Sequence, residues 1–172
     1  MLFIHGPNEA FLVPDSCRRK VKYVGHVVSE KGIEIDQGKT DKVVNWPTPT
    51  TPEDVRRFLG FVGYYRRFIH NFRKISRPLT DLIPATGTRE WKWDEAQQQA
   101  FQTLKDHLVN ALILGYASSF LPYELHTDAS GDALCAVLYQ EQDGAKRVIS
   151  YASRGLSKAE CNYPAHERIS GV

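Results

Sequence analysis

The sequence predicts an α+β protein in which a β-hairpin, a helical region and an antiparallel three-stranded meander follow one another. The hairpin is indicated by VKYVGHVVSEKGIEID, residues 21–36, where two strands rich in valine and isoleucine flank a tight turn at Glu30-Lys31-Gly32. Downstream, apolar residues recur at helical spacing, and after residue 120 the pattern changes to short strands. The 172 residues suffice for one sizeable domain or two small units.

The first long helix is predicted to begin at Pro52. Thr51 can cap it, proline suits the first helical position, and Asp54 completes the spacing of a capping box. Gly60 and Gly63 weaken the helix and mark a place where it can break. The predicted buried face consists of Val55, Phe58, Leu59, Val62, Tyr65, Ile69 and Phe72.

Two further helices and the meander complete the predicted fold. A short helix spans Ser76 to Ile83, and a longer one, capped by Asp94, buries a stripe made of Ala96, Ala100, Phe101, Leu104 and Leu108. The strands are PYELHTDA, ALCAVLYQEQ and KRVISYAS, with turns at Ser130-Gly131-Asp132 and Gln142-Asp143-Gly144. The spacing of Ser157 and Glu160 indicates another capping box.

Positive charge is concentrated in the first half of the chain. Residues 1–83 hold 14 Lys and Arg against 9 Asp and Glu, whereas residues 84–172 hold 8 against 11. On one continuous helix, Arg56, Arg67 and Lys74 fall within about 20° of one another. No acid between residues 55 and 80 screens this stripe, so we expect it to contact a nucleic-acid backbone. The alternative is an ordinary solvated helix face. The stripe and the aromatic residue beside it comprise Arg56, Tyr64, Arg66, Arg67, His70, Arg73 and Lys74.

The composition argues against a membrane protein, a secreted protein and a zinc-binding or disulfide-rich protein. No run of 18 apolar residues occurs, and the first segment lacks the uninterrupted apolar core of a signal peptide. We therefore expect no membrane association and a cytoplasmic or nuclear location rather than secretion. Cys17, Cys135 and Cys161 are too far apart for a zinc site, and their odd number argues against a disulfide framework.

Several segments resemble, in order, the reverse transcriptase–ribonuclease H region of gypsy-type LTR retrotransposon polyproteins. They are VKYVGHVVSEKGI, WPTPTTPEDVRRFLGFVGYYRRFIHNF, WKWDEAQQQAFQTLK, HTDAS and ISYASRGLSKAECNYPAHE. The resemblance implies a palm remnant at 1–47 with a primer-grip-like hairpin at 21–36. It also implies a helical thumb at 48–89, a connection at 90–120 and a truncated ribonuclease H-like domain at 121–172. In the family's hairpin, the turn region matching Gly25 and His26 grips the primer end, so both are candidate nucleic-acid contacts.

The resemblance also bears on catalysis, because Asp128 matches the family's first metal-binding aspartate. The intact family uses Mg²⁺, and two-metal chemistry needs several carboxylates. By register from Asn162-Tyr163, the next carboxylate position is occupied by Ile169, and the remaining aspartates are expected beyond Val172. The paired Asp-Asp of a polymerase site does not occur in the sequence. We therefore expect Asp128 to be an ancestral ligand that is insufficient alone, with no Mg²⁺ bound. The alternative role for Asp128 is a turn-capping aspartate at a strand end.

Three functional hypotheses follow. The first is a reverse transcriptase/ribonuclease H fragment that binds RNA–DNA hybrid or other duplex through the backbone, without catalysis. The second is an active metal-dependent hydrolase of the RNA strand of hybrids. The third is a retroelement relic without a function. Because the inferred contacts are to phosphates, they do not distinguish RNA from DNA.

Overall fold

Four helices and two three-stranded antiparallel sheets are present in the computed structural model, which describes residues 3–5, 10–12, 20–84, 90–129, 133–157 and 160. A further short hairpin pairs two strands near the start of the chain. The strands are β1 (Phe3–His5), β2 (Ala10–Leu12), β3 (Lys20–Tyr23), β4 (His26–Ser29), β5 (Gly32–Ile35), β6 (Tyr123–Ala129), β7 (Ala133–Gln142) and β8 (Ala145–Gly155). The helices are α1 (Gln37–Val44), α2 (Pro52–Tyr64), α3 (Phe72–Thr80) and α4 (Glu95–Val109).

The predicted hairpin at 21–36 has three strands, so the expectation of two strands is wrong. The predicted turn at Glu30-Lys31 is present, but Val24 and Gly25 form a second two-residue turn, with φ of 43° and 78°. Valine seldom adopts positive φ, so the local sequence does not indicate a turn there. Helix α1, which the sequence analysis does not predict, follows at once. The Asp36 carboxylate caps it by accepting a hydrogen bond of 2.9 Å from the Gly38 amide.

Helix α2 begins at Pro52 as predicted, and both hydrogen bonds of the Thr51–Asp54 capping box are formed. The helix ends at Tyr64 and is followed by a short 3₁₀ helix, Arg66–Phe68. Asn71, with φ of 58°, then starts α3 in a new direction. The chain therefore breaks after Tyr64 rather than at Gly60 or Gly63. As a consequence, the angular alignment of basic residues computed for one continuous helix does not hold.

The main core lies where the four helices meet. Helices α2 and α4 contact through Phe58 and Phe101, whose ring centroids lie 4.6 Å apart, and Trp46 packs on Phe58 from the side. Ala96 is exposed, so its predicted place in the buried stripe of α4 is wrong. Fourteen residues form this buried cluster: Val43, Val55, Phe58, Val62, Tyr65, Phe68, Ile69, Leu79, Leu82, Ala100, Phe101, Leu104, Leu108 and Leu114.

The meander has the predicted order β6-β7-β8 and the predicted turn at Asp143-Gly144. The other predicted turn, at 130–132, lies outside the described residues. Ser157 and Glu160 form the predicted capping box, since each side chain accepts a hydrogen bond from the other's amide. Hydrogen bonds from Arg154 and Ser157 lower the pKa of Glu160 to about 2.

The meander packs directly on the helical region. The Arg73 amide donates a 3.0 Å hydrogen bond to the Ser153 hydroxyl, and the His70 ring lies 5.4 Å from Tyr151. A Cβ on Gly155 would come within 2.9 Å of Arg73 Nε, so this glycine allows the guanidinium to lie against β8. The 3₁₀ helix and the start of α3 thus cover part of one sheet face.

Residues 114–116 tie both sheets together. Leu114 exchanges two backbone hydrogen bonds with Ile33 of β5, at 2.8 and 2.9 Å, and the Gly115 amide donates to Val148 of β8. The Tyr116 hydroxyl donates to the Ser29 carbonyl at 2.6 Å. Gly32 is required at this crossing, because its φ is 132° and a Cβ would lie 2.1 Å from the Leu114 carbonyl oxygen.

No helix within these described ranges combines the length and apolar character needed to span a bilayer.

We predict that Gly32→Ala destabilises the protein. Backbone strain of this kind costs about 1–3 kcal/mol, and the displaced Leu114 backbone adds to it. Gly60→Ala is the matched control, because nothing lies within 4 Å of the Cβ position in that exposed helical site. The control should gain up to about 1 kcal/mol from helix propensity. Urea denaturation followed by circular dichroism measures both, and equal midpoints for the two variants would contradict the assigned role of Gly32.

Candidate nucleic-acid interface

The turn at Val24-Gly25 is fixed against the end of α2. The Tyr64 hydroxyl donates to the Val24 carbonyl at 2.9 Å, and the Tyr65 hydroxyl donates to the Gly25 carbonyl at 3.3 Å. The Gly25 carbonyl also accepts a 3.0 Å hydrogen bond from the Asp36 amide. A Cβ on Gly25 would lie 2.5 Å from the Tyr65 hydroxyl oxygen, so the contact requires glycine. The turn is thereby held as a protruding edge, with the Val24 side chain 62% exposed.

His26 supports this turn from within. Its ring lies 5.4–5.7 Å from the rings of Tyr64, Tyr65 and Phe68. Nδ1 donates to the Val24 carbonyl at 3.1 Å, which leaves the buried Nε2 as an acceptor without a partner among the described residues. Burial lowers the pKa of His26, so the ring is neutral near pH 7. His26 was expected to contact phosphate, but these contacts indicate that it supports the turn at Val24-Gly25 instead.

The exposed face of α2 continues from this turn. Arg56, Gly60 and Tyr64 occur at intervals of four residues and so lie along one side of the helix. All three are exposed. Arg56 was expected to have no acidic neighbour. Its guanidinium nevertheless lies 3.3 Å from the carboxylate of Glu53, which precedes the acid-free segment. Exposed pairs of this kind are weak, so Arg56 can exchange Glu53 for another anion.

The 3₁₀ helix adds two arginines with different surroundings. Arg66 is exposed. Arg67 is half-buried, with its guanidinium carbon 5.9 Å from the centre of the Phe68 ring, and its buried Nε has no hydrogen-bond partner in the part of the chain that the structure describes. Arg66 is thus the freer of the two cations. We call Val24, Gly25, Arg56, Gly60, Tyr64 and Arg66 the turn–helix patch.

The remaining predicted cations lie at the junction with the meander. His70 and Arg73 contact β8 through Tyr151 and Gly155 respectively. Lys74 is exposed and lies near β7. Burial and the Asp128 carboxylate raise the pKa of the Cys135 thiol on that strand, and the charge of Lys74 partly opposes this. The predicted single stripe is therefore divided, and we call His70, Arg73 and Lys74 the junction patch.

Asp128 lies near the end of β6 and is exposed, directly opposite Cys135 of β7 in the strand register. In the residues that the structure describes, no cluster of three His, Cys, Asp or Glu side chains could hold a metal ion. Ile169 and the nearby Glu167 lie outside those residues. The described donors do not fit the several carboxylates that a two-metal Mg²⁺ site requires.

The sequence analysis treated Gly60 only as a weak point of α2. Its spacing of four residues from both Arg56 and Tyr64 is the signal that places it on the exposed face. Tyr65 was assigned to the core, which is correct, but its hydroxyl also fixes the turn 40 residues upstream. No local pattern indicates that contact.

The fold is similar to solved structures of a foamy viral protease-reverse transcriptase. A complex of that protein with RNA/DNA hybrid matches 90% of this chain and 21% of its own chain, with a TM-score of 0.77 and 23% identity. A second, described as the dRH form in complex with double-stranded DNA, matches 88% of this chain and 26% of its own, with a TM-score of 0.76 and 24% identity. At 23–24% sequence identity, these two structures establish only that the fold is similar.

Sequence relatives are found among retroelement polyproteins. The Pol polyprotein from transposon 412 of Drosophila melanogaster is 39% identical over 160 residues, which cover 91% of this chain and 13% of the polyprotein. The Pol polyprotein from transposon opus of the same species is 35% identical, covering 87% of this chain and 16% of the polyprotein. The Tf2-3 polyprotein of Schizosaccharomyces pombe is 36% identical, and the match covers 87% of this chain and 11% of the polyprotein.

The chain thus spans about a tenth to a sixth of the length of these relatives. Residues 93–169 match the model of the RNase H-like domain found in reverse transcriptase. The expected resemblance is confirmed: residues 93–169 match the RNase H-like domain of reverse transcriptase, and the homologues of the chain are Pol polyproteins of retrotransposons.

Proposed function

We propose that the chain binds the sugar–phosphate backbone of an RNA–DNA hybrid or other duplex through the turn–helix patch. The observation that supports this most strongly is the hydrogen bond from the Tyr64 hydroxyl to the Val24 carbonyl. It joins the protruding turn and the exposed face of α2 into one continuous surface. The structural neighbours in complexes with RNA/DNA hybrid and double-stranded DNA support the same class of ligand.

Each part of the patch suits a backbone ligand. No atom of the described residues lies within 4 Å of the position that a Cβ would take on Gly60. A nucleic-acid strand can therefore approach the helix backbone there without contacting a side chain. Arg56, one turn before Gly60 on the same face, and Arg66, exposed on the 3₁₀ helix, offer planar guanidinium groups that fit phosphate oxygens. Contacts of this kind fix position and orientation without reading bases, so the proposed binding is independent of sequence.

The junction patch extends the proposed surface toward the meander. Only three residues separate Arg66 from His70, so the same ligand can pass from one patch to the other. Lys74 is exposed and supplies a further cation there, whereas Arg73 is held against Gly155. We therefore assign the tighter contacts to the turn–helix patch and a weaker, electrostatic role to the junction patch.

We further propose that binding occurs without cleavage of the ligand. Family members of this kind generally depend on Mg²⁺, and Asp128 is the residue that could contribute to its binding. Among the described residues Asp128 belongs to no cluster of three side chains that could hold a metal ion, and Ile169 stands at the next expected position. The alternative of an active hydrolase would need further carboxylates from elsewhere. The alternative of a relic predicts that the folded chain binds no nucleic acid.

We predict that Arg66→Ala weakens binding of a labelled RNA–DNA hybrid and makes it less dependent on salt. Removing one phosphate contact should lower the slope of log K against log[salt] by about one. Fluorescence anisotropy across a salt series measures both effects. Arg56→Ala should act in the same direction but less strongly, because Glu53 already competes for that guanidinium.

The matched control for these arginines is Lys92→Ala. Lys92 is also exposed and paired with a carboxylate, Asp94 at 3.0 Å, but it lies outside both patches. It removes one positive charge from the chain without touching the proposed surface, so its salt slope should equal that of the unmodified protein. If Lys92→Ala and Arg66→Ala weaken binding equally, general charge and not the turn–helix patch is responsible.

We predict that Mg²⁺ does not raise the melting temperature of the chain. A single exposed carboxylate binds the ion too weakly to stabilise the folded state by mass action. Differential scanning fluorimetry with and without millimolar MgCl₂ tests this, with Asp128→Asn as the control. A clear rise in the unmodified protein that is absent in Asp128→Asn would establish a metal site at Asp128 and reopen the hydrolase hypothesis.

A further inference from the structure

A groove of about 570 Å³ lies beside Trp46, between the end of α1 and the start of α2. This volume falls in the range of about 300–1,000 Å³ that is usual for small-molecule sites. The walls come from Lys42 and Asn45 at the end of α1, from residues 46–50, and from Asp54 and Arg57 of α2. We call this cavity the Trp46 groove. The proposed function gives it no role.

The Trp46 indole forms an apolar wall of the groove and is held in place by its neighbours. Its ring centroid lies 5.7 Å from that of Phe58 and 5.2 Å from that of Phe61, with interplanar angles of 67° and 49°. Neither ring is parallel to the indole, so neither stacks face to face on it. The Trp46 amide donates to the Val43 carbonyl at 3.0 Å, and the Trp46 carbonyl accepts a 3.3 Å hydrogen bond from Lys105 Nζ. The half-buried indole is thus a fixed flat surface.

The rest of the connecting segment suits a planar ligand with polar edges. Pro47 and Pro49 restrict the backbone, because proline fixes φ. Asn45 donates from its amide nitrogen to the Asp41 carbonyl at 3.0 Å, and its amide oxygen accepts no hydrogen bond from the described residues. The exposed Thr48 adds a hydroxyl. A rigid apolar wall with amide and hydroxyl groups beside it matches a nucleobase, whose faces are apolar and whose edges are polar.

Two cations of the groove are available to an anionic ligand. Lys42 is exposed and has no ion-pair partner in the described part of the chain. The Arg57 guanidinium lies 3.8 Å from the carboxylates of both Glu53 and Asp54, and exposed pairs of this kind are weak. The Asp54 carboxylate is held at the helix cap, where it accepts hydrogen bonds of 2.8 and 3.1 Å from the Thr51 hydroxyl and amide. The groove therefore favours a phosphate beside the base.

The groove is continuous with the turn–helix patch through Arg57. This residue directly follows Arg56 in the chain. At 100° per residue, Arg57 also lies within about 20° of Tyr64 around the axis of α2. All three side chains are exposed. A strand that leaves the patch can therefore enter the groove without crossing the helix.

We propose that the Trp46 groove binds an unpaired nucleotide of a strand whose paired part lies on the turn–helix patch. The base stacks on the indole, and Lys42 and Arg57 bind the phosphates on either side of it. This inference rests on the proposed function and deepens it, by adding a subsite for single-stranded nucleic acid. Stacking tolerates any base, because every base has a π face, so the site is independent of sequence.

The test compares a blunt RNA–DNA hybrid with the same hybrid extended by about five unpaired nucleotides, at the 5′ or at the 3′ end of one strand. Fluorescence anisotropy with the full chain measures the affinities. We expect one of the two extensions to raise affinity about tenfold. An extension of abasic nucleotides keeps the phosphates and lacks the bases, so it should lose most of this gain. Equal gains from the normal and the abasic extension would overturn base stacking in the groove.

Trp46→Leu tests the stacking surface. Leucine keeps an apolar side chain against Phe58 and removes the flat ring, so the gain from the extension should disappear while the blunt hybrid still binds. Trp91→Leu is the matched control, because Trp91 lies outside the groove and stacks on Trp93 with centroids 5.9 Å apart. It should retain the gain. Circular dichroism checks that each variant is folded.

Lys42→Met tests the charge, and because Lys42 is exposed it does so even if Trp46→Leu fails to fold. Loss of one single-strand phosphate contact should lower the salt slope for the extended hybrid by about 0.7 and leave the slope for the blunt hybrid unchanged. Lys92→Met is the matched control, an exposed lysine outside the groove, and should change neither slope. Equal slopes for Lys42→Met and the unmodified chain on the extended hybrid would contradict the phosphate contact.

The remaining outcomes separate this subsite from the proposed function. If neither extension raises affinity while the blunt hybrid binds, the subsite is wrong and the proposed function stands. Binding of an acidic, proline-rich peptide that is lost in Trp46→Leu would in that case assign the groove to a peptide. Absence of binding to every hybrid by the folded, unmodified chain would overturn both proposals.

Discussion

The two tyrosine hydroxyls at the end of α2 hold the turn on which the proposed interface depends. Val24 adopts a left-handed conformation that costs an L-residue about 1–2 kcal/mol. Four hydrogen bonds to the turn carbonyls oppose this cost, from Tyr64, Tyr65, His26 and the Asp36 amide. At a net contribution of about 1 kcal/mol each, together they outweigh the strain. The same bonds hide the turn's acceptors and leave its amides as donors.

These hydrogen bonds connect three elements: the β3–β4 turn, the start of α1 and the end of α2. The turn joins β3 to β4, the Asp36 amide that binds Gly25 precedes α1, and the tyrosines end α2. Residues 114–116 then connect this unit to the meander, through Ile33 on one side and Val148 on the other. The turn–helix patch is therefore supported from below by the start of α1 and, through β5, by residues 114–116.

The features that local sequence determines were predicted well. The start of α2 depends on Thr51, Pro52 and Asp54 alone, and it was placed correctly. Helix α2 ends at Tyr64, one residue after the weak point at Gly63, but local sequence does not show that the segment after it packs on the meander, where the Arg73 amide donates to Ser153. The turn at Val24-Gly25 was expected only from the family resemblance, because the tyrosines that stabilise it lie 40 residues away along the chain. The division of the basic stripe into two patches follows from the end of α2 at Tyr64.

Within the candidate site, Gly25 and Tyr64 are predicted separately, as a turn residue and an aromatic neighbour, and the hydrogen bond from Tyr64 to Val24 joins their two elements. Arg66 is exposed on the 3₁₀ helix that follows α2. His26 was predicted to lie on the same surface. Its ring instead packs among three aromatic rings beneath the turn, and this packing is visible only in the structure.

Hydrogen–deuterium exchange with and without a bound RNA–DNA hybrid tests the joint role of the turn and α2 most directly. The amides of Val24 and Gly25 have no internal acceptor in the described residues, so in the free protein they should exchange rapidly. On binding, we expect protection to appear together in residues 20–36 and 52–68 while the exposed face of β6 is unchanged. Protection confined to residues 123–155, with the turn amides still exchanging rapidly, would contradict a shared turn–helix surface.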